Sequence, residues 1–238
     1  MTERLTQGLD KLGLTFTDSQ VDKLESYIQE VLEFNKGYNL MKAENADELA
    51  VNHILDSLVA VPALTSLIEE LSAKKATAAS QAGCVDKASD ASKAGAPLSI
   101  ADIGSGGGCP GIPLAIAFPD QHFTLVERMD KRCVFLESVV KKLGLTNVTV
   151  ACTAADAVAP ESFDLEVFRA FHPFDKKIIT LLFRMLKKDG ILAAYKAREE
   201  KILAEMNEIK PFIKGYEKIK LTVPFLEDHE RHLVVVRK

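Results

Sequence analysis

The stretch that decides the fold runs from Leu98 to Glu127 and reads LSIADIGSGGGCPGIPLAIAFPDQHFTLVE. An apolar run ends in Asp102, a glycine-rich turn follows, and Pro110 opens an apolar segment that is compatible with a helix. A second apolar run ends in Glu127. This order predicts a site for a nucleotide-type cofactor, because glycine permits close backbone approach and a strand-end acid can accept hydrogen bonds from ribose hydroxyls.

The glycine pattern and the local charge narrow the choice of cofactor. The turn from Gly104 to Cys109 lacks the last small residue of the dinucleotide pattern G-x-G-x-x-G/A, and no Gly-Lys-Ser/Thr of a P-loop follows it. No lysine or arginine lies between Lys93 and Arg128, so nothing nearby would neutralise a pyrophosphate. These features favour S-adenosylmethionine, which carries no phosphate, over NAD or ATP. The alternative is a glycine-rich connection in an α/β protein without a cofactor.

Length, composition and cysteine usage exclude several classes of protein. A chain of 238 residues with 47% hydrophobic residues can form one large domain, or one domain with a small extension. No uncharged apolar run reaches the roughly 18 residues of a membrane helix, and the N-terminus does not resemble a signal peptide. Cys84, Cys109, Cys133 and Cys152 show neither C-x-x-C pairing nor metal-ligand spacing. We therefore expect a cytoplasmic monomer with reduced thiols, no metal and no membrane segment.

The net charge of −4 conceals an asymmetry along the chain. Residues 1–168 carry 14 Lys/Arg and 24 Asp/Glu, whereas residues 169–238 carry 16 Lys/Arg and 10 Asp/Glu. Overall acidity argues against indiscriminate nucleic-acid binding, but the basic C-terminal part permits a local RNA-binding patch. The alternative is a solvated basic surface without a partner.

Apolar periodicity divides the chain into three parts. Residues 1–68 form a predicted helical region, with a helix start at Thr17–Ser19 and another helix ending near Pro62. Residues 69–97 are rich in Ala, Ser and Lys and predict an exposed insertion or linker, partly helical, that cannot bury much surface. Residues 98–238 form the predicted cofactor-binding α/β domain.

Within the α/β domain, predicted strands and helices alternate until the last two strands. The strands are 98–103, 122–127, 147–152, 163–168, 189–195, 216–223 and 231–237, and the helices are 110–118, 130–143, 173–187 and 198–213. The polar stretch Glu227–Glu230 predicts a C-terminal antiparallel hairpin. This seven-stranded, Rossmann-like layout resembles the S-adenosylmethionine-dependent methyltransferases.

Five segments in order along the chain narrow the resemblance. They are Phe34–Leu40 (FNKGYNL), His53–Leu58 (HILDSL), Asp102–Pro119 (DIGSGGGCPGIPLAIAFP), Lys131–Leu136 (KRCVFL) and Phe163–Phe171 (FDLEVFRAF). Together they resemble the glucose-inhibited division protein B family, whose members methylate guanine N7 in small-subunit (16S) ribosomal RNA. The chain departs from the family pattern at Phe34, Met41, Cys109 and Phe168, and its insertion is longer than expected.

The chemistry that the resemblance implies needs no general base. Guanine N7 has a free lone pair and no proton, so methyl transfer depends on proximity and orientation, which can supply roughly 7–11 kcal/mol of barrier reduction. We therefore expect no catalytic His/Asp pair. N7 is also reachable in an unpaired base, the usual target of sequence-specific RNA recognition.

The predicted cofactor site takes its residues from the ends of four strands. These residues are Asp102, Gly104, Gly106, Cys109, Glu127, Ala155, Asp156 and Arg169. If Glu127 does not bind the ribose, it is an exposed acid at the end of a strand. Asp156 is either an acid at a helix N-terminus or a contact to the adenine, and the resemblance favours the adenine contact. Arg169 can hold a carboxylate or an RNA phosphate and orient the reactants, and the alternative is a structural ion pair with an acid such as Asp102.

The predicted substrate-binding residues are Asn39, His53, Asp56, Lys196 and Arg198, with part of Lys131–Arg132. His53 and Asp56 share one helix face, so the alternative for them is a structural hydrogen bond that docks the helical region on the sheet. The aromatic residues Phe171, His172 and Phe174 can stack a base or belong to the core. Three other functions stay open: a methyltransferase for another RNA, a small-molecule methyltransferase, and a non-enzymatic RNA-binding protein with a vestigial cofactor site.

Overall fold

The computed structural model describes residues 2–81 and 96–238, and the strands within them form a seven-stranded sheet in the order β3-β2-β1-β4-β5-β7-β6. The strands are β1 (Ser99–Ile103), β2 (His122–Glu127), β3 (Val148–Cys152), β4 (Phe163–Arg169), β5 (Leu186–Lys196), β6 (Glu217–Leu221) and β7 (Arg231–Arg237). Strand β7 is antiparallel to β5 and β6, and the other neighbours are parallel. The predicted α/β fold with its terminal hairpin is confirmed.

Helices cover both faces of the sheet, which explains why its central strands β1, β4 and β5 are largely apolar and buried. They are α1 (Glu3–Lys11), α2 (Asp18–Asn35), α3 (Ala46–Leu49), α4 (Asp56–Leu58), α5 (Val61–Gln81), α6 (Gly111–Ala117), α7 (Asp130–Lys142), α8 (Lys176–Met185) and α9 (Glu199–Ile209). A π-helical turn, Ala50–Leu55, joins α3 to α4. One core contains residues of α1–α7, and the core on the opposite face contains residues of α8 and α9.

The strand order places a ligand site at one point of the sheet edge. The chain builds β2 and β3 on one side of β1 and then crosses to place β4 on the other side. In open parallel sheets, ligands bind outside the carboxyl ends of the strands where the order reverses in this way. That point lies at the ends of β1 and β4, beside Asp102 and Arg169.

Helix α2 begins where the sequence predicted, and it packs against the glycine-rich turn. Thr17 and Gln20 form a capping box, with the Gln20 amide 3.3 Å from Thr17 Oγ1 and the Thr17 amide 3.0 Å from Gln20 Oε1. Buried Tyr27 donates a hydrogen bond from its hydroxyl to the Gly107 carbonyl at 2.6 Å. The helical region therefore supports the turn directly.

The helical region extends further along the chain than predicted. Helix α4 ends at Leu58, and a new helix, α5, begins at Val61 with Pro62 in its first turn, where the missing N–H costs nothing. Because α5 continues to Gln81, the predicted boundary between residues 68 and 69 falls inside a helix. Leu71 is buried, and Lys75 Nζ lies 3.0 Å from Asp164 Oδ2. Residues 82–95 of the predicted insertion lie outside the described residues.

One helical stretch is long and apolar because it belongs to the core. By length and composition alone, Ala46–Thr77 could cross a membrane. However, 61% of its most apolar window is buried inside the protein. Core helices of proteins without a membrane segment pass the same test, so the stretch is no indication of membrane insertion.

Two of the four cysteines form a disulfide in the structure, whereas the sequence predicted reduced thiols. Cys133 in the first turn of α7 is bonded to Cys152 at the end of β3, with Cα atoms 5.6 Å apart. The two residues meet because α7 packs beside β3, and their separation of 19 residues matches no motif. Cys109 is a buried free thiol. Cys84 lies outside the part of the chain that the structure describes.

Glu166 on β4 is a buried acid that the predicted strand did not anticipate. Neither carboxyl oxygen has a hydrogen-bond partner in the described part of the chain. Burial raises the pKa of Glu166 well above its ordinary value of 4.5. The folded carboxyl therefore keeps its proton at pH values where the unfolded chain loses it, and this contribution to stability declines as the pH rises above 4.5.

We expect Glu166→Leu to stabilise the fold, and more so at higher pH. Leucine removes an unsatisfied buried polar group, which costs about 1–3 kcal/mol, and it also removes the decline with pH. Urea unfolding of parent and variant at about pH 5 and about pH 8 measures both effects. A variant that is less stable than the parent at both pH values would show that the carboxyl has a stabilising partner.

Candidate cofactor and substrate site

Asp102 holds the glycine-rich turn in place through hydrogen bonds to its carboxylate. Its Oδ2 accepts hydrogen bonds from Ser105 Oγ at 2.7 Å and from the Gly111 amide at 2.9 Å. Burial raises the pKa of Asp102 to about 6, although these two hydrogen bonds oppose the shift. Its Oδ1 is buried without a partner among the described residues. Asp102 thus fastens the start of α6 to the turn.

The turn requires glycine at two positions. Gly104 and Gly106 have φ angles of +72° and +59°, which other residues adopt at a cost. A Cβ on Gly104 would lie 2.5 Å from Cδ2 of Phe171, so the aromatic ring covers the turn at this point. Amides of the turn also bind the next strand, since the Gly104 amide donates to the Val126 carbonyl at 2.9 Å.

Glu127 ends β2 and is held in one orientation by backbone amides. Its Oε2 accepts from the Gly106 amide at 2.9 Å, and its Oε1 accepts from the amides of Arg128 and Met129, each at 2.9 Å. Arg132 Nη1 lies 3.7 Å from Oε2. A fixed carboxylate beside the glycine turn has the chemistry that ribose hydroxyls require.

A cavity of about 740 Å³ opens at this edge of the sheet, between the turn and the helical region. The predicted site residues that line it are Gly104, Gly106, Cys109, His53, Asp56, Arg132, Arg169 and Lys196, together with Phe171 and His172. Residues from the N-terminal helical region and from the α/β domain thus meet in one cavity. In the described residues, no group of three or more His, Cys, Asp or Glu side chains is arranged to hold a metal ion.

The other predicted site residues lie outside this lining. Asp102 and Glu127 reach the cavity only through the turn. Ala155 and Asp156 form a 3₁₀ turn after β3, which Arg184 fixes by donating to both of their carbonyls. The side chains of Asn39 and Arg198 are exposed at the surface.

Arg169 at the end of β4 is engaged by the helical region. Its Nη1 donates to Asp56 Oδ2 at 2.7 Å and to the Asn52 carbonyl at 3.3 Å, and its Nη2 lies 2.9 Å from His53 Nδ1. The structural alternative for Arg169 was an ion pair with an acid such as Asp102, and the structure shows such an ion pair, with Asp56 as the acid. Ala170 follows with a φ of +54°, which turns the chain so that Phe171 covers Gly104.

Asp56 bridges two arginines. Its second oxygen, Oδ1, accepts from Arg231 Nε at 2.8 Å. The Asp56 side chain is only 5% exposed, and its carboxylate is paired with two guanidinium groups, those of Arg169 and Arg231. Sequence reasoning missed Arg231, because no pattern distinguishes it from the other basic residues of the C-terminal part.

His53 is neutral and fixed in one tautomer. Its Nδ1 accepts from Arg169, so its Nε2 carries the proton and donates to the Lys42 carbonyl at 3.1 Å. Burial and the neighbouring Arg169 charge lower its pKa. His53 therefore ties the loop after α2 to Arg169 on the sheet.

The loop after α2 is shaped by Asn35, which was not among the predicted site residues. Asn35 donates to the Met41 carbonyl at 2.7 Å and accepts from the amides of Leu40 and Met41. These bonds place Leu40 and Met41 against Gly107. The first asparagine of the FNKGYNL segment is thus the one that holds the cavity wall.

Lys196 is held inside the site rather than facing solvent. Its Nζ lies 2.6 Å from Glu205 Oε2 and 4.4 Å from the centre of the Phe174 ring, and its side chain is only 13% exposed. Phe174 is fully buried, which matches the core alternative for this residue. Glu205, which also accepts from the Phe174 amide at 2.8 Å, carried no signal in the sequence.

The residues present fit S-adenosylmethionine. At Gly106 an added Cβ would meet only the Gly104 carbonyl, at 3.8 Å, so the backbone of the turn is open there. The fixed carboxylate of Glu127 lies beside this position, and the acids that flank the turn, Asp102 and Glu127, suit a cofactor without phosphate.

Comparisons with known proteins agree with this geometry. The family model for GidB, rRNA small subunit methyltransferase G, matches residues 20–71 and 83–234. The chain is 37% identical to the ribosomal RNA small subunit methyltransferase G of Treponema denticola, over 98% of this chain and 93% of that protein. It is 32% identical to the proteins of the same name from Klebsiella pneumoniae and Actinobacillus pleuropneumoniae, over 100% of this chain and 98% and 99% of theirs. The chain belongs to the rRNA small subunit methyltransferase G family.

Proposed function

We propose that this protein transfers a methyl group from S-adenosylmethionine to N7 of a guanine in small-subunit (16S) ribosomal RNA. The observation that carries the proposal is an intact glycine turn, beside a fixed acid, at the switch point of the sheet in a chain of this family. The protein then works as a cytoplasmic monomer on RNA or on a small-subunit particle.

The cofactor is held by three strand ends in this proposal. Gly104 and Gly106 contact its methionine part, Glu127 accepts from its ribose, and Ala155 and Asp156 contact its adenine. S-adenosylmethionine supplies an electrophilic methyl group when bound. Asp102 holds the turn, and Arg169 orients the reactants from its fixed position against Asp56 and His53.

The cavity suits an acceptor that has no proton to lose. Among the described residues that line it, the acids are Asp56 and Glu205, and both are ion-paired. Of the histidines that line it, His53 uses both ring nitrogens, His232 Nδ1 lies 2.9 Å from the Ala197 carbonyl, and His172 is exposed to solvent. Guanine N7 needs no base because its lone pair is free, so orientation of the base carries the catalysis.

The RNA surface is proposed around the mouth of the cavity. Lys42 and Lys201 line the cavity with exposed side chains and form no ion pair with another described residue, and Arg198 and Asn39 are exposed. Lys196, by contrast, is neutralised by Glu205 and acts through its position in the wall. Phosphate binding therefore belongs to Lys42, Lys201 and Arg198, and Lys196 contributes the shape of the substrate site.

The activity is tested by incubating the protein with S-adenosylmethionine labelled in its methyl group and with either naked small-subunit RNA or assembled 30S particles. We expect label at a guanine that becomes sensitive to the chemical cleavage specific for 7-methylguanine. Label in small metabolites of a cell extract, but not in RNA, would support a small-molecule methyltransferase instead. Binding of RNA without binding of S-adenosylmethionine in a calorimetric titration would support a non-enzymatic RNA-binding protein.

We expect Lys201→Ala to weaken RNA binding and to flatten its dependence on salt. Each neutralised phosphate contributes a slope of about −0.7 in a plot of log affinity against log salt for single-stranded RNA. Lys188→Ala is the matched control, since Lys188 is also exposed but lies near the amino end of β5. Filter binding across a salt series measures both variants. Equal slopes for Lys201→Ala, Lys188→Ala and the parent would place the RNA surface elsewhere.

A further inference from the structure

The Cys133–Cys152 pair lies beside the cofactor acid and has no part in the function described so far. We propose that it is a reversible thiol–disulfide site that tunes cofactor affinity by exchange with low-molecular-weight thiols and disulfides. The inference rests on the proposed cofactor site, because the affinity that changes is that of S-adenosylmethionine. It goes beyond the methyl transfer itself, which needs neither sulfur.

Both cysteines lie beside Glu127, Cys133 through its sulfur and Cys152 through its place in the sheet. Cys152 is the residue of β3 in register with Glu127 on β2. Cys133 Sγ lies 3.3 Å from the Glu127 carbonyl oxygen, and this oxygen accepts a hydrogen bond from the Thr153 amide at 2.8 Å. The disulfide therefore ties the first turn of α7 to the end of β3, directly on the carbonyl of the proposed ribose-binding acid.

The bond also controls the segment that follows β3. Cys152 immediately precedes residues 153–157, which carry the proposed adenine contacts Ala155 and Asp156. Arg132, the neighbour of Cys133, lies 3.7 Å from the Glu127 carboxylate. With the bond closed, these three parts of the site are fixed relative to one another. With the bond open, α7 and the segment after β3 are joined here only through weaker contacts, so the binding geometry is less preorganised.

The exposure of the two cysteines determines which one reacts first with a small disulfide. Cys152 is exposed, whereas Cys133 is buried. In oxidation, the Cys152 thiolate attacks a small disulfide and releases one small thiol. Cys133 then attacks the Cys152 sulfur of the mixed disulfide and releases the second small thiol. Two protein thiols are oxidised to one disulfide while one small disulfide is reduced to two thiols, and the reverse steps reopen the bond.

The compartment explains why such a bond would be reversible. An enzyme that methylates ribosomal RNA works where ribosomes are, and cells keep thiols reduced there. Disulfides in reducing compartments are typically transient or redox-sensing rather than structural. The pair would therefore be open in ordinary conditions and would close under oxidation.

The test uses the full-length protein, equilibrated in glutathione buffers of defined ratio. Alkylation followed by mass spectrometry measures the Cys133–Cys152 bond, and calorimetry measures the affinity for S-adenosylmethionine. We expect the oxidised form to bind the cofactor about threefold to tenfold more tightly. We also expect it to melt about 5–10 °C higher, because the bond closes a loop of 19 residues.

Two variants separate this pair from the other cysteines. Cys152→Ser, at the exposed position, removes the bond with little disturbance of the core, so its cofactor affinity should be the same in every buffer. Cys84→Ser leaves the pair intact and should keep the full response. Equal affinity in oxidised and reduced parent protein, or absence of the bond at every glutathione ratio, would overturn the proposal. If neither form binds S-adenosylmethionine, the proposed cofactor site fails instead, whereas the melting temperatures still report on the bond.

Discussion

Replacing Gly104 by valine will raise the dissociation constant for S-adenosylmethionine by at least about 100-fold, or roughly 2.7 kcal/mol, while the protein stays folded. Gly104 has a φ of +72°, where a β-branched residue is strongly disfavoured. Its new Cβ would lie 2.5 Å from Cδ2 of Phe171. Either the ring or the turn must move, and both border the cavity in which the cofactor is proposed to bind.

Gly144→Val is the matched control for this experiment. Gly144 has a φ of +60°, so valine introduces the same kind of backbone strain there, but nothing lies within 4 Å of the added Cβ. Calorimetric titration measures cofactor affinity, and thermal melting followed by circular dichroism shows that both variants are folded. We expect only Gly104→Val to lose affinity. Parental affinity in a folded Gly104→Val protein, or an equal loss in Gly144→Val, would contradict the proposed position of the cofactor.

The strands and the turn could be predicted from the sequence because local patterns encode them. The run from Leu98 to Glu127 contains its own strand, turn, helix and strand, and the structure places β1, α6 and β2 within it. The proximity of His53 and Asp56 followed from helical spacing alone. These features depend on neighbours a few residues away, for which hydrophobic periodicity and glycine are direct signals.

The contacts that complete the site could not be predicted, because they join distant parts of the chain. Arg231 pairs with Asp56 across 175 positions of sequence. Glu205 on α9 neutralises Lys196 at the end of β5, although both occur in a charged segment that reads as solvated surface. Ion pairs have no periodicity, so any of the 16 basic residues after position 168 was an equally good partner for a buried acid.

Some residues lie in correctly predicted strands and helices, but their environment in the folded protein could not be predicted. Glu166 lies in an apolar run that correctly predicts β4, yet no pattern shows that its carboxyl lacks a partner among the described residues. Cys133 and Cys152 lie in a predicted helix and a predicted strand, and only the packing of α7 beside β3 brings them together. Local patterns thus fix where an element lies, whereas the packing of elements decides which side chains meet.

Replacing Asp56 by alanine will lower the free energy of unfolding by about 3 kcal/mol and reduce methyl transfer at least about 100-fold. Asp56 is a buried carboxylate that compensates both Arg169 and Arg231, with N–O distances of 2.7 and 2.8 Å. Removing it leaves two guanidinium groups without their acid in a partly buried place, and this uncompensated charge is the main cost. Arg169 also loses the partner that fixes its position against His53, so the substrate side of the cavity loses its geometry.

Glu70→Ala is the matched control, because Glu70 also pairs with an arginine of β7, Arg237, at 2.9 Å. The side chains of Glu70 and Arg237 are each about one-third exposed, so loss of this pair should lower the free energy of unfolding by less than about 1 kcal/mol. Methyl transfer should stay near the parental rate. Asp56→Asn keeps the shape of the side chain and removes its charge, so it should reproduce most of the loss of activity if charge holds Arg169 in place. Urea unfolding and methyl transfer to small-subunit RNA measure the three variants. If Asp56→Ala matched Glu70→Ala in both assays, the Asp56 bridge would be an ordinary surface ion pair, and Arg169 would owe its orientation to His53 and the Asn52 carbonyl instead.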